Sequence, residues 1–153
     1  MTRAPVATFW PWLAGFTDGE GYVDWHGTAT LVLTTTHLPT LEWIQDQIGG
    51  SLRTLQRDRN AQVASSKPAY QLSWSGSAAR GVLTSILPYL REKRRQAELV
   101  LSVTHAGKRL AEAEWRRRDS VRLNLKNLRH GRPEQWPAPD PASAGGVAGD
   151  GLP

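Results

Sequence analysis

The sequence predicts an α+β domain: one four-stranded antiparallel sheet with helices packed on one face, in the order αββαββα. Three observations predict it. Two pairs of short strand-like segments, 22–26 with 29–35 and 51–57 with 68–75, are rich in alternating apolar, Thr and aromatic residues. A segment with helical spacing follows each pair, and Gly or Pro punctuates the joins. The 153 residues, 39% of them hydrophobic, suit a single domain able to bury a core.

Each element has its own signal. Residues 1–9 read as a loose leader. Pro11 at a first-turn position, followed by Trp12, Leu13 and Phe16, predicts a helix over 10–18, closed by Gly19 and Gly21. Gly27-Thr28 turns the first strand pair. Leu38, Leu41, Ile44 and Ile48 mark a helix over 38–48 that Gly49-Gly50 ends. In the second pair, 58–67 is a polar loop. Ser77 starts a helix to 87, Pro88 a further one to 106, and a basic helix is expected over 108–129. The folded domain is read as 10–132. The remainder, 133–153, is a Pro-, Ala- and Gly-rich tail with almost nothing to bury, and disorder is expected from 137. Trp43 and Trp74 fall at core positions, and Trp12 is expected to pack as well.

Composition narrows the function. No apolar run is long enough for a membrane span, and the N-terminus lacks the apolar core of a secretory signal. An intracellular, cytoplasmic protein that does not engage membranes is expected. With no cysteine, any metal must be held by oxygen or histidine. The histidines at 26, 37, 105 and 130 have no metal-ligand spacing. The formal net charge is +5, and the stretch from Arg80 to Arg132 holds 14 Lys and Arg against 5 Asp and Glu. Such a half suits a polyanionic partner, or else a solvated helix face. Arg116, Arg117 and Arg118 point different ways around a helix, so flanking phosphate contacts and simple solubility both stand.

A sheet covered on one side leaves the other open. Alternate strand positions place Thr30, Arg53, Arg57, Gln71 and Ser73 there, side chains suited to phosphates and base edges. An ordinary solvated face is the other possibility. Arg59 and Lys67 in the polar loop extend the same surface, Trp25 and His26 at the tip of the first hairpin are placed for base contact or for the turn alone, and Arg94 is a phosphate candidate.

The most specific segment is Leu13 to Gly21, LAGFTDGEG. Gly15 and Gly19 share a helix face at about 1 kcal/mol each relative to alanine, tolerable where another backbone comes close; Ala14 is expected to widen that face. Asp18 and Glu20 fall at the helix C-terminus, where the macrodipole is already negative. A hard divalent cation would relieve that conflict, while a glycine-ended helix with two solvated acids is the plainer reading.

This nonapeptide resembles the signature of the LAGLIDADG homing endonucleases, matching at Leu13, Ala14, Gly15, Asp18 and Gly21. The likeness extends to the Leu31–Thr36 strand, the Leu41–Ile44 helix with Ile48-Gly49-Gly50, and the stretch from Leu87 through Lys93 to Leu101, about 10–105 in all. It implies an endonuclease for double-stranded DNA. By the resemblance Glu20, with Gly19 beside it, binds Mg²⁺ (or another divalent ion such as Mn²⁺), Asp18 supports the turn, and Lys93 acts on the scissile phosphate. Leu13, Ala14, Gly15, Asp18 and Gly19 would contact the motif helix of a second copy. With one motif per chain, a homodimer on a long, near-palindromic site is implied, with no small-molecule cofactor.

Two positions depart from the family. Thr35 stands where members often carry a glutamine that contacts active-site water, and the first hairpin is short. The rival reading is a non-cleaving DNA- or intron-RNA-binding protein of the same fold, a maturase or regulator. Retention of both Asp18 and Glu20 favours the nuclease, since a pure binder has no use for acids against a phosphate backbone.

Overall fold

The computed structural model describes residues 6–55, 68–103 and 112–138. Its elements are α1 (Phe9–Glu20), β1 (Gly21–Trp25), β2 (Ala29–Thr35), α2 (Leu38–Ile48), β3 (Ser51–Leu55), β4 (Ala69–Ser75), α3 (Gly76–Ile86), α4 (Arg94–Ser102) and α5 (Glu112–Arg129), with a 3₁₀ turn over Leu87–Tyr89. Among the described residues the strands form one antiparallel sheet in the order β1-β2-β4-β3. The expected fold class is observed.

The strand register separates two faces, because successive side chains alternate across a strand. Val23 lies opposite Leu31, Leu31 opposite Trp74, and Leu33 opposite Leu72, which also faces Leu52. This row meets Leu13 of α1, Leu41 and Ile44 of α2, and Leu83 and Ile86 of α3, all fully buried. The intervening row carries Tyr22, Val32, Ser73 and Ser51 across the sheet, with Asp24, Thr30 and Ser75 above it and Thr34, Gln71 and Arg53 below. A one-residue slip would exchange the rows, so burial of the first row against the helices sends the second to the opposite face.

Gly50 and Gly21 serve the backbone. Gly50 has φ +117, and a Cβ there would sit 2.8 Å from Leu72 Cδ1 and 2.9 Å from Trp74 Nε1, so α2 passes into β3 only through glycine. At Gly21 a Cβ would lie 2.5 Å from the Thr17 carbonyl oxygen, the atom that accepts the Gly21 N–H. The chain can then leave α1 straight into β1 without a loop.

Several boundaries differ from expectation. Helix α1 starts at Phe9, which is buried, and continues through Gly19 to Glu20, because nothing in the helix requires a left-handed residue at Gly19. The helix expected from Pro88 to 106 is instead a 3₁₀ turn, an extended buried Leu90 and a separate α4. Asp18 causes the break: its carboxylate accepts the N–H groups of Arg91 and Lys93, at 2.8 and 3.0 Å. Trp74 is buried as expected, but Trp12 and Trp43 are each 41% exposed and pack edge to face with each other, 5.0 Å between centroids.

The chain stays engaged beyond 132. Asn124 of α5 exchanges two hydrogen bonds with the Gln135 backbone, at 2.7 and 3.1 Å, and Glu134 makes a double contact with Arg95, at 2.5 and 2.8 Å. The segment after α5 thus straps it to the start of α4, where a loose tail was expected from 133. The Arg95 contacts, then burial opposing them, set the balance at Glu134, whose pKa is held below the usual value.

Candidate functional site

The site is built at the C-terminal end of α1. Asp18 is half-buried and faces the turn that precedes α4, while Gly19 and Glu20 are exposed. Lys93 donates its ammonium to the Asp18 backbone carbonyl, so the cation stands on the negative end of the α1 dipole, two residues before Glu20. The interlock is reciprocal. The Asp18 side chain holds the backbone of the 91–93 turn, and the turn's lysine returns to the backbone of Asp18. The Asp18 carboxylate therefore holds the 91–93 turn, and both its oxygens are engaged there.

Glu20 has no hydrogen bond or ion pair among the described residues. Its oxygens, with the helix-end carbonyls beside them, are hard donors suited to Mg²⁺. No group of three or more His, Cys, Asp or Glu that could hold a metal occurs among the described residues. That composition still fits Mg²⁺, which retains waters and uses one or two carboxylates together with phosphate oxygens.

The outer face of α1 corrects part of the expected interface. Leu13 and Ala14 are fully buried in the chain's own core, since they lie on the opposite side of the helix from Gly15 and Gly19. They do not face outward, and Ala14 does not widen the glycine face. The Asp18 carboxylate points to the 91–93 turn rather than outward. The open stripe is Trp12, Gly15, Phe16 and Gly19, with Trp12 stacked on Phe16 at 5.3 Å. A Cβ built on Gly15 or Gly19 meets nothing within 4 Å among the described residues.

The open sheet face carries most of the other candidates. Thr30, Arg53, Gln71 and Ser73 line one shallow depression of about 260 Å³ together with Val32 and Ser51. Arg53 Nε donates to Gln71 Oε1 at 2.5 Å, which holds both polar heads above the sheet. Arg57, Arg59 and Lys67 lie outside the described residues. Trp25 is a correction: it is only 7% exposed and turned to the core side, where the Arg118 guanidinium lies 5.3 Å from its ring. Strand alternation that puts Tyr22 and Asp24 outward forces Trp25 inward. His26 is exposed, as expected at the hairpin tip. Arg94 is exposed and donates to Glu98 at 3.2 Å. Thr35 ends β2 and accepts the His37 N–H at 3.3 Å.

Sequence reasoning missed a cluster centred on Asp24. This carboxylate is 2% exposed, receives Arg129 of α5 at 2.5 Å and the Trp25 N–H at 2.8 Å, and accepts the Tyr22 hydroxyl. The signal was an acid inside an apolar strand, which demands a cation. The sequence could not show that the cation stands 105 positions away. The Arg116–Arg118 run also resolves. Arg118 is buried between Trp25 and Trp115, and Arg116 pairs with Glu112 at 2.6 Å.

No protein-family model matches the chain, and no curated protein matches it. Solved structures do. The homing endonuclease I-CvuI, in complex with the I-CreI target in the presence of Mg with the DNA not cleaved, is 24% identical with a TM-score of 0.58, over 78% of this chain and 81% of that one. The archaeal intron-encoded homing endonuclease I-Vdi141I, complexed with DNA, is 14% identical with a TM-score of 0.62, over 86% of this chain and 89% of that one. The chain has the fold of these enzymes across most of its length.

Proposed function

We propose that this chain is a LAGLIDADG homing endonuclease that cuts double-stranded DNA as a homodimer, by divalent-metal-assisted phosphodiester hydrolysis. The observation that carries the proposal is the convergence at one helix end of an exposed carboxylate, Glu20, and an ammonium, Lys93, beside an open glycine face. The nonapeptide that supplies these groups and the fold shared with two DNA-bound homing endonucleases both support it.

In this reading Gly15 and Gly19 let the α1 of a second copy approach, which brings two Glu20 carboxylates to the two strands of one duplex. Glu20 and the Gly19 carbonyl would hold Mg²⁺, which supplies Lewis acidity and a lowered pKa for water when bound. Lys93 places positive charge where the phosphate gains negative charge in the transition state. Asp18 holds the 91–93 turn and so sets the position of Lys93. The open sheet face, with Thr30, Arg53, Gln71 and Ser73, contacts the duplex, and two-fold symmetry makes the site near-palindromic.

The test is cleavage of a plasmid library carrying candidate insertion sites. Wild-type protein linearises a subset of plasmids in Mg²⁺ and none in EDTA. Glu20→Gln retains binding in a gel-shift assay and loses cutting. Nicking by Glu20→Gln in Mg²⁺ at the wild-type rate would overturn the assignment.

A further inference from the structure

The two flanks of the α1 outer face carry different chemistry. A helix turns 100° per residue, so Pro11 and Asp18 lie roughly 40–60° to one side of Gly15, and Trp12 and Phe16 about 60–100° to the other. On the first side the chain builds a cleft of about 460 Å³, walled by Pro11, Pro88, Tyr89, Leu90, Arg91 and Arg94. Tyr89 is 48% exposed, and the exposed Arg91 guanidinium makes no hydrogen bond or ion pair among the described residues. Arg94 reaches Glu98 at 3.2 Å, and Glu92 is exposed but does not line the cleft. On the second side Trp43 of α2 packs on Phe9 and Trp12, at 5.4 and 5.0 Å between centroids, and Trp12 and Trp43 stay 41% exposed. Exposed Glu42 and Asp46 neighbour Trp43 on α2, a helix with no Lys or Arg. One flank is an aromatic knob with acids, the other a cleft with arginines.

We infer that the Trp43 edge of a second copy seats in this cleft, once on each side of the paired α1 helices. The inference rests on the homodimer proposed above and names the contacts that flank its glycine stripe. With both Glu20 ends at one duplex, the two α1 helices run in the same direction and the two-fold axis lies along them. Rotation about that axis turns the flanks over, so each knob faces the other copy's cleft rather than the other knob. The chemistry of the two surfaces matches. A cleft of this size holds a ring as large as an indole, and guanidinium groups stack on Trp faces. Glu42 and Asp46 meet Arg91 and Arg94 with opposite charge. Trp, Tyr and Arg are also the side chains that carry most of the binding energy at interfaces. The wall formed by residues 88–91 continues into Lys93, so a partner seated there braces from outside the turn that Asp18 holds from inside.

The test exchanges charge across the contact in the DNA-free protein. One variant carries Arg91→Glu with Arg94→Glu, the other Glu42→Arg with Asp46→Arg; all four side chains are exposed, and circular dichroism melts check folding. Dimerisation is read by sedimentation velocity across a concentration series, for each variant alone and for an equimolar mixture. Each variant alone should dimerise roughly 10-fold more weakly than wild type or worse, because it sets like charges face to face. The mixture should recover wild-type association, since both of its contacts again pair acid with base. Trp43→Ala, which removes the knob without changing charge, should weaken dimerisation to a similar extent. Variants that dimerise like wild type on their own, or a mixture as weak as its parts, overturn the inference and leave the glycine-face dimer standing. A wild type that stays monomeric throughout overturns the homodimer reading, and the inference with it.

Discussion

Replacing Gly15 and Gly19 together by alanine separates folding from assembly. Within one chain the change is favourable: both positions are helical, exposed and open, with nothing within 4 Å of the added Cβ among the described residues. Alanine exceeds glycine in a helix interior by about 1 kcal/mol, so the pair should add about 1–2 kcal/mol to the isolated chain, a little less at Gly19 near the helix end. That corresponds to a rise of several degrees in Tm for a domain of this size. Between chains the sign reverses, because two methyl groups per helix hold apart backbones that glycine would let touch. The assay is sedimentation velocity across a concentration series, melting at the most dilute point, and plasmid cleavage. The expected result is a chain that melts higher when monomeric, dimerises at least 10-fold more weakly, and cuts correspondingly less. A variant that dimerises and cuts like wild type would refute the close-approach reasoning, and a lower monomer Tm would show that the glycine face is already packed.

Two further outcomes follow from contacts around the site. Asp18→Asn leaves one acceptor oxygen for the two N–H groups of Arg91 and Lys93 and turns an amide toward the other; it should cost about 2 kcal/mol in urea unfolding and lower cleavage through the displaced Lys93, and unchanged cutting would show that the interlock does not position the lysine. At the strap, the folded pKa of Glu134 lies below its unfolded value because of Arg95, so its contribution is complete above the ordinary glutamate range and is lost as pH falls through the lower, folded value. Since Arg95 is 47% exposed, Glu134→Gln should cost about 1 kcal/mol or less at pH 7 and nothing measurable once acid protonates the wild-type residue; an equal cost at both pH values would deny the ion pair a role.

The legible part of this protein is the part whose determinants are local. The glycine-spaced nonapeptide, the apolar period of α2 closed by Gly49-Gly50, and the strand-like composition of β2 and β4 each declare an element within a dozen residues, and the sheet with its open face follows from them. What was not legible depends on partners far along the chain. The break before α4 is made by Asp18, more than 70 positions upstream. The strap past 132 is held by Arg95 and Asn124, and the Pro- and Gly-rich composition around it gave no sign of either. The resemblance also placed Leu13 and Ala14 on the outer face, whereas both are buried in the core. A motif known as a unit invites the reading that all its letters serve one face, whereas a helix turns 100° per residue and carries Leu13 and Ala14 to the side away from Gly15 and Gly19.

The same geometry explains why one chain holds so little of its own chemistry. Among the described residues Glu20 belongs to no group of three or more acids or histidines that could hold a cation, and its exposed position at a helix end is electrostatically uncomfortable by itself. Glu20 makes no hydrogen bond or ion pair among the described residues, so its presence is best understood through what arrives later. A second α1 laid on the glycine stripe, a duplex across the sheet face and a hard cation between them would each remove part of the conflict. Activity on this account is conditional on assembly: the isolated chain should bind Mg²⁺ only weakly, and metal affinity should rise when duplex DNA is added. Isothermal titration with Mg²⁺, with and without duplex, measures that coupling directly, and tight binding to the DNA-free chain would mean that the cation ligands had been misidentified.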